Sequence, residues 1–120
     1  MKKRSWIKNI KTACIEVGTY KPGFDFLIET LASILEKRDA AEELYKETGG
    51  NAIVKHTNKA GASNPTVNPA LALWNDLNKT ALSYWRDLGL TPLGLKRIDE
   101  KALKNANQDS FTEALSKIFD

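Results

Sequence analysis

The stretch Asn68–Ile98, NPALALWNDLNKTALSYWRDLGLTPLGLKRI, limits what this chain can fold into more than any other. It opens with Asn-Pro: the Asn side chain can accept from a free helical N–H, and Pro suits the first helical position. Ala70, Trp74, Leu77, Ala81, Tyr84 and Leu88 then recur with the period of one helix face. Leu71, Asn78, Leu82 and Trp85 form a second stripe, so this helix offers apolar surface to more than one partner. Gly89 stands where a left-handed C-terminal cap is expected, and Thr91-Pro92 restarts a helix. Helices in proteins draw most of their stability from packing an apolar face. The segment is therefore expected to be a packing hub.

The elements around it follow from the same reasoning. Ser5 to Val17 places Trp6, Ile10, Ala13, Cys14 and Val17 on one face and is closed by Gly18, a short amphipathic helix. Lys21-Pro22-Gly23 is a turn, and a long helix from about Asp25 to Thr48 is stopped by Gly49-Gly50. With Phe24 as heptad position a, Leu31, Arg38 and Tyr45 follow at a, while Leu27 or Ile28 and Ile34 or Leu35 fall near d. Such a seam suits an antiparallel hairpin or a subunit contact. Within it Arg38 either pairs with an acid or, as the preferred expectation, snorkels to the edge. Ala52 to His56, a turn-rich Thr57–Gly61 and Ser63 to Val67 read as a small β-hairpin. Alone it is marginal, so it is expected to pack on something.

Beyond the hub, a third helix is expected from Pro92 to about Lys104, then a polar linker at Asn105–Gln108. Ser110-Phe111-Thr112-Glu113 matches a capping box that would start a last short helix through Phe119. The fold class is thus mainly α: two long helices joined by a small β-hairpin, with short N- and C-terminal helices, forming oligomers. The organisation expected is a basic N-terminal arm at 1–18, a helix–hairpin–helix core with a third helix at 19–104, and a linker and C-terminal helix at 105–120. Leu31, Leu35, Trp74, Leu77, Leu82 and Trp85 are the expected oligomer contacts.

Little in the chain suggests catalysis. His56 is the sole histidine and Cys14 the sole cysteine, which leaves no metal-binding motif. Cys14 and His56 are conceivable as nucleophile and base, but Cys14 lies on an apolar helix face, where a small core residue is the better reading. Gly49-Gly50 lacks the Lys-Ser/Thr of a phosphate-binding loop. Glu42-Glu43 and Asp99-Glu100 are adjacent on helices, so their side chains do not face each other. No enzymatic activity and no cofactor are expected. The lone cysteine excludes an internal disulfide and fits a reducing cytoplasm. Ala70–Trp74 is the longest apolar run, far short of a membrane span, and Lys8 and Lys11 interrupt any secretory signal.

Charge points instead to an anionic partner. The net charge is +3, but six basic residues and only Glu16 occupy Met1–Lys21, whereas acids dominate Glu29–Glu47. A solvated helix face explains this as well as a binding surface does. The candidate DNA-binding residues are Lys2, Lys3, Arg4, Lys8 and Lys11 on the arm, Lys55 and Lys59 at the hairpin, and Lys96 and Arg97 on the third helix. Trp6 could stack on a base, though a core tryptophan is the better expectation. Leu88-Gly89-Leu90-Thr91-Pro92 with Leu95 and Ile98 resembles a helix-turn-helix corner, which makes a transcription regulator the alternative. Trp85 argues against it, because a bulky ring should force two closely crossing helices apart.

The order of LIETLASILEKRDAAEEL, a Gly-Gly stop, TNKAGASN and the NP-capped helix with its LGLTP junction resembles the small subunit of phage terminases. The resemblance spans about Phe24 to Ile98 and leaves out the first 20 residues and the tail from Asn105. It implies a non-enzymatic component of a viral genome-packaging motor, working in the cytoplasm of the infected bacterial host. Such subunits form homo-oligomeric rings, recognise double-stranded viral DNA and regulate a large subunit that carries the ATPase and nuclease. The low net charge then requires a local patch, or many arms gathered by oligomerisation.

Overall fold

The computed structural model describes residues 1–57 and 59–119, with the side chains of His56 and Phe119 outside that description. Its elements are α1 (Lys3–Val17), a single 3-10 turn (Pro22–Phe24), α2 (Asp25–Glu47), β1 (Ile53–Thr57), β2 (Ser63–Val67), α3 (Pro69–Asp87) and α4 (Pro92–Phe119). The fold is mainly α, with one two-stranded antiparallel hairpin.

The long helices α2 and α3 form an antiparallel pair. Arg38 reaches Asn78 and Thr48 meets Asn68, so positions rise along one helix as they fall along the other. Ile28, Leu31, Ala32 and Leu35 of α2 meet Ala81 of α3, and Leu88 beyond it, in one buried cluster. Ile10 and Cys14 of α1 complete that cluster, so the N-terminal helix belongs to the core. Gly18 ends α1 at φ +79° and its N–H returns to Cys14 and Ile15 carbonyls. The buried Thr19 hydroxyl then donates to the Leu88 carbonyl at 2.7 Å, tying the end of α1 to the end of α3.

Leu31 and Leu35, expected as oligomer contacts, are fully buried inside their own chain and leave no surface for a neighbour. The heptad seam marks a buried face correctly, but the face is covered by α1 and α3. Trp85 likewise packs against this core. Trp74 and Leu77 are half-buried, and Leu82 is exposed. The indole Nε1 of Trp74 is buried without a hydrogen-bond partner among the described residues.

The hairpin has the expected strands, with Ile53 opposite Val67 and Thr57 opposite Ser63. It does not pack on the helical body as expected; its strands are paired with each other and largely exposed. What replaces packing is an anchor at its base. Asn68, 2% exposed, donates through Nδ2 to the Asn51 carbonyl and the Thr48 hydroxyl, both at 3.0 Å. Its backbone N–H donates to the Ala52 carbonyl at 2.8 Å, and its Oδ1 caps α3 by accepting from the Ala70 N–H at 3.1 Å. One residue thus closes α2, holds the hairpin and starts α3.

At the other end of α3 the chain turns through Gly89, at φ +72°, into α4. Here Gly94 sets the crossing: a β-carbon on it would overlap the Arg86 backbone oxygen and lie 2.9 Å from the Arg86 carbonyl carbon. The two helices therefore cross closely despite Trp85, whose ring packs against the buried cluster. The steric objection to a tight corner is thereby removed.

Helix α4 is continuous for 28 residues, so the linker expected at Asn105–Gln108 and the separate last helix are corrected. No glycine or proline follows Gly94, and Asn or Ser costs only tenths of a kcal/mol in a helix interior. Ser110 consequently lies mid-helix, where there are no free N–H groups to cap. Leu95 and Ile98 point at the Gly89 corner. At about 100° per residue, Phe111, Leu115 and Ile118 fall on the opposite side of the helix, where all three are exposed. The protein measures 85 × 26 × 21 Å.

Candidate nucleic-acid interface

The basic residues of α1 divide into held and free. Lys3 is held: its backbone N–H donates to Glu36 at 2.6 Å and its ammonium pairs with Glu29 at 3.2 Å. Lys11 lies over the Tyr20 ring, 4.9 Å from its centroid. Arg4 and Lys8, four residues apart and therefore on one side of the helix, are exposed and without an ion-pair partner among the described residues. Lys2 is exposed beside a shallow cleft that also contains Trp6, Glu36 and Asp39. The N-terminal segment is thus a docked helix with a free basic outer edge.

Asp39 adds a polar clamp to the apolar docking of Ile10 and Cys14. Its carboxylate accepts from Trp6 Nε1 at 2.7 Å, the N-terminal amine at 3.2 Å and Arg38 at 3.2 Å. Arg38 also covers the Trp6 ring at 5.3 Å and donates to Asn78 at 3.3 Å. Arg38 is therefore acid-paired at the junction of three helices, not snorkelling, and Trp6 is engaged at both face and nitrogen. Neither is free to stack on a base. Burial by itself would raise the Asp39 carboxyl, but hydrogen bonds from Trp6, the N-terminal amine and Arg38 outweigh it and hold it below its ordinary value.

A group depressed in this way contributes stability that is fully present above its unfolded pKa, about 3.9, and is lost as pH falls through the lower folded value. Docking of α1 is accordingly expected to weaken only below about pH 4. Asp39→Ala should lower stability by about 1.5–3 kcal/mol at neutral pH, the range for hydrogen bonds to a charged group. It should also flatten the acid limb of an unfolding-free-energy profile. A profile identical to that of the unaltered protein would remove Asp39 from this role.

The remaining candidates lie elsewhere. Lys55 and Lys59 are exposed on the hairpin. Lys96 makes an exposed contact of 3.9 Å with Glu100 on its own helix, a pair of little energetic weight, and Arg97 is exposed beside it. The hairpin and these α4 residues flank opposite ends of α3, whose 19 residues span about 28 Å. One copy therefore presents three basic sites on three elements, not a single patch.

Cys14 is fully buried, and burial pushes its thiol above the ordinary range, which suits a core residue and not a nucleophile. No cluster of three or more potential metal ligands occurs among the described residues, and no described helix is long and apolar enough to cross a membrane.

A family model described as the small subunit of phage terminase matches residues 3–105. The chain belongs to that family. Membership places this terminase small subunit in phage DNA packaging in general terms. The match takes in all of α1, which the sequence resemblance did not reach, and stops within α4. No curated protein and no solved structure matches the chain.

Three residues that matter to this arrangement escaped the sequence. Gly94 could have been suspected as the small residue near a helix corner. Asp39 and Thr19 could not: their partners Trp6 and Leu88 are 33 and 69 residues away, beyond any local pattern.

Proposed function

We propose that this small terminase subunit recognises double-stranded viral DNA as a homo-oligomeric ring. In this reading it recruits or regulates the large ATPase–nuclease subunit at the start of packaging, in the cytoplasm of the infected bacterium. Family membership over residues 3–105 is the observation that carries this reading. It is supported by the free cations at Arg4 and Lys8, Lys55 and Lys59, and Arg97. Because they lie on separate elements, an oligomer would repeat each of them around an axis and multiply weak contacts into a usable affinity. Leu73, Leu82 and the distal stripe Phe111, Leu115 and Ile118 remain exposed and supply surface for subunit and large-subunit contacts.

Deleting the first 11 residues would be a poor test, since it removes Trp6 and the buried Ile10. Charge neutralisation is cleaner. In duplex-DNA titrations against salt, Arg4→Gln with Lys8→Gln is expected to make the slope of log K on log salt shallower by about 1.8, or roughly 0.9 for each phosphate no longer neutralised. Light scattering on the same samples should report an oligomer. A strict monomer at high concentration with no salt-sensitive DNA binding would overturn the proposal.

A further inference from the structure

The β1–β2 hairpin has no role in the core, yet hydrogen bonds hold it at both ends. Its base is fixed by the three hydrogen bonds that Asn68 donates to Thr48, Asn51 and Ala52, and its far end is braced by Thr57 and Ser63 hydroxyls 3.1 Å apart. From Thr48 to Asn75 there is no Asp or Glu, although the chain carries 15 acids elsewhere. Lys55 and Lys59 are exposed there without an ion-pair partner among the described residues.

The strand edges indicate what does not bind. The Asn68 N–H bond to Ala52 fixes the alternation, so Ile53, Lys55 and Thr57 on β1 and Ser63, Pro65 and Val67 on β2 turn their peptide groups outward. Pro65 therefore removes the central donor from the β2 edge, and Lys55 puts a charge at the centre of the β1 edge. Both devices discourage a further protein strand from adding to a sheet. What remains is a protruding, positively charged two-stranded ribbon. Strands about 4.8 Å apart and about 17 Å long match a groove about 12 Å wide and 8.5 Å deep.

We propose that this ribbon inserts into the major groove of double-stranded DNA, with Lys55 and Lys59 on the flanking phosphates. The proposal rests on the DNA-binding reading above and assigns one element to it. Free Arg4 and Lys8 would then contribute affinity from α1, while the ribbon fixes the register of the protein on the duplex.

The test uses the full chain and a random-sequence 30-base-pair duplex (about three helical turns), followed by fluorescence anisotropy across a salt series. Lys55→Gln with Lys59→Gln should weaken binding about tenfold at low salt and make the salt slope shallower by about 1.8. Circular dichroism should show unchanged helicity, because the ribbon stands off the helices. A major-groove ligand such as methyl green should displace the unaltered protein, and a minor-groove ligand such as distamycin should not. An unchanged slope and affinity in the double variant, or displacement by distamycin alone, overturns the ribbon's role while leaving the DNA-binding reading standing. Loss of self-association with DNA binding intact would make the ribbon a contact between copies and equally overturn it. Absence of duplex binding by the unaltered protein would overturn both.

Discussion

Replacing Asn68 with alanine is expected to lower the melting temperature by about 10 °C and to loosen the hairpin before the helices. Loss of an N-cap costs about 1 kcal/mol. Withdrawing the amide donors from the Asn51 carbonyl and the Thr48 hydroxyl adds about 0.5–1.5 kcal/mol for each bond. The sum, about 2–4 kcal/mol, is a large fraction of the stability of a domain this size. Asn68→Asp separates the parts, because its carboxylate still accepts from the Ala70 N–H but cannot donate. It should fall between alanine and the unaltered protein. Hydrogen exchange at the backbone N–H of Asn68, which bonds to Ala52, should accelerate in both variants. An alanine variant melting within about 2 °C of the unaltered protein, well under the shift expected for 1 kcal/mol, would show that the clamp is dispensable.

Asn68 also shows why much of this fold was legible. Its capping role is a local event, written in the adjacent proline and the apolar stripe that follows. Gly18 and Gly89 stop their helices for equally local reasons, a positive φ that costs glycine nothing. The same side chain's grip on Asn51 and Thr48 was not legible, since it depends on how the hairpin folds back over 17 to 20 residues.

The misreadings have two physical origins. Periodicity marks which face of a helix is buried but not what buries it, so it points Leu31 and Leu35 at a neighbouring subunit when they face α1 and α3 of their own chain. Polarity marks what can face water but not whether a helix ends. The run Asn105–Gln108 is polar because α4 projects there, and nothing in it breaks a helix. In the candidate interface, positive charge is visible in the sequence but its availability is not. Lys3 and Lys8 are five residues apart and look alike, yet Glu29 holds one and solvent the other. Availability is decided by the acids of α2, which only the packing of α1 brings within reach.

Gly94→Ala should disrupt the crossing of α3 and α4. The added carbon would meet the Arg86 backbone, which cannot rotate away as a side chain would, so α4 must lift from α3. Overpacking of this kind costs about 1–3 kcal/mol or more. Better helix propensity of alanine returns only about 1 kcal/mol. Gly23→Ala is the matched control, because a β-carbon there meets nothing within 4 Å and the backbone is not left-handed. It should leave melting nearly unchanged, while Gly94→Ala lowers it by about 5–10 °C. The corner also aims the 28-residue helix that carries Lys96, Arg97 and the exposed Phe111–Ile118 stripe. A small hinge at Gly94 is therefore magnified along the long axis. A single copy is 85 Å long, so small-angle scattering should show a maximum dimension different from that of the unaltered protein in the same oligomeric state. Contacts made through the far end of α4 should weaken even at temperatures where the helices remain folded. If Gly94→Ala matches Gly23→Ala in both melting and scattering, the close crossing does not set the direction of α4.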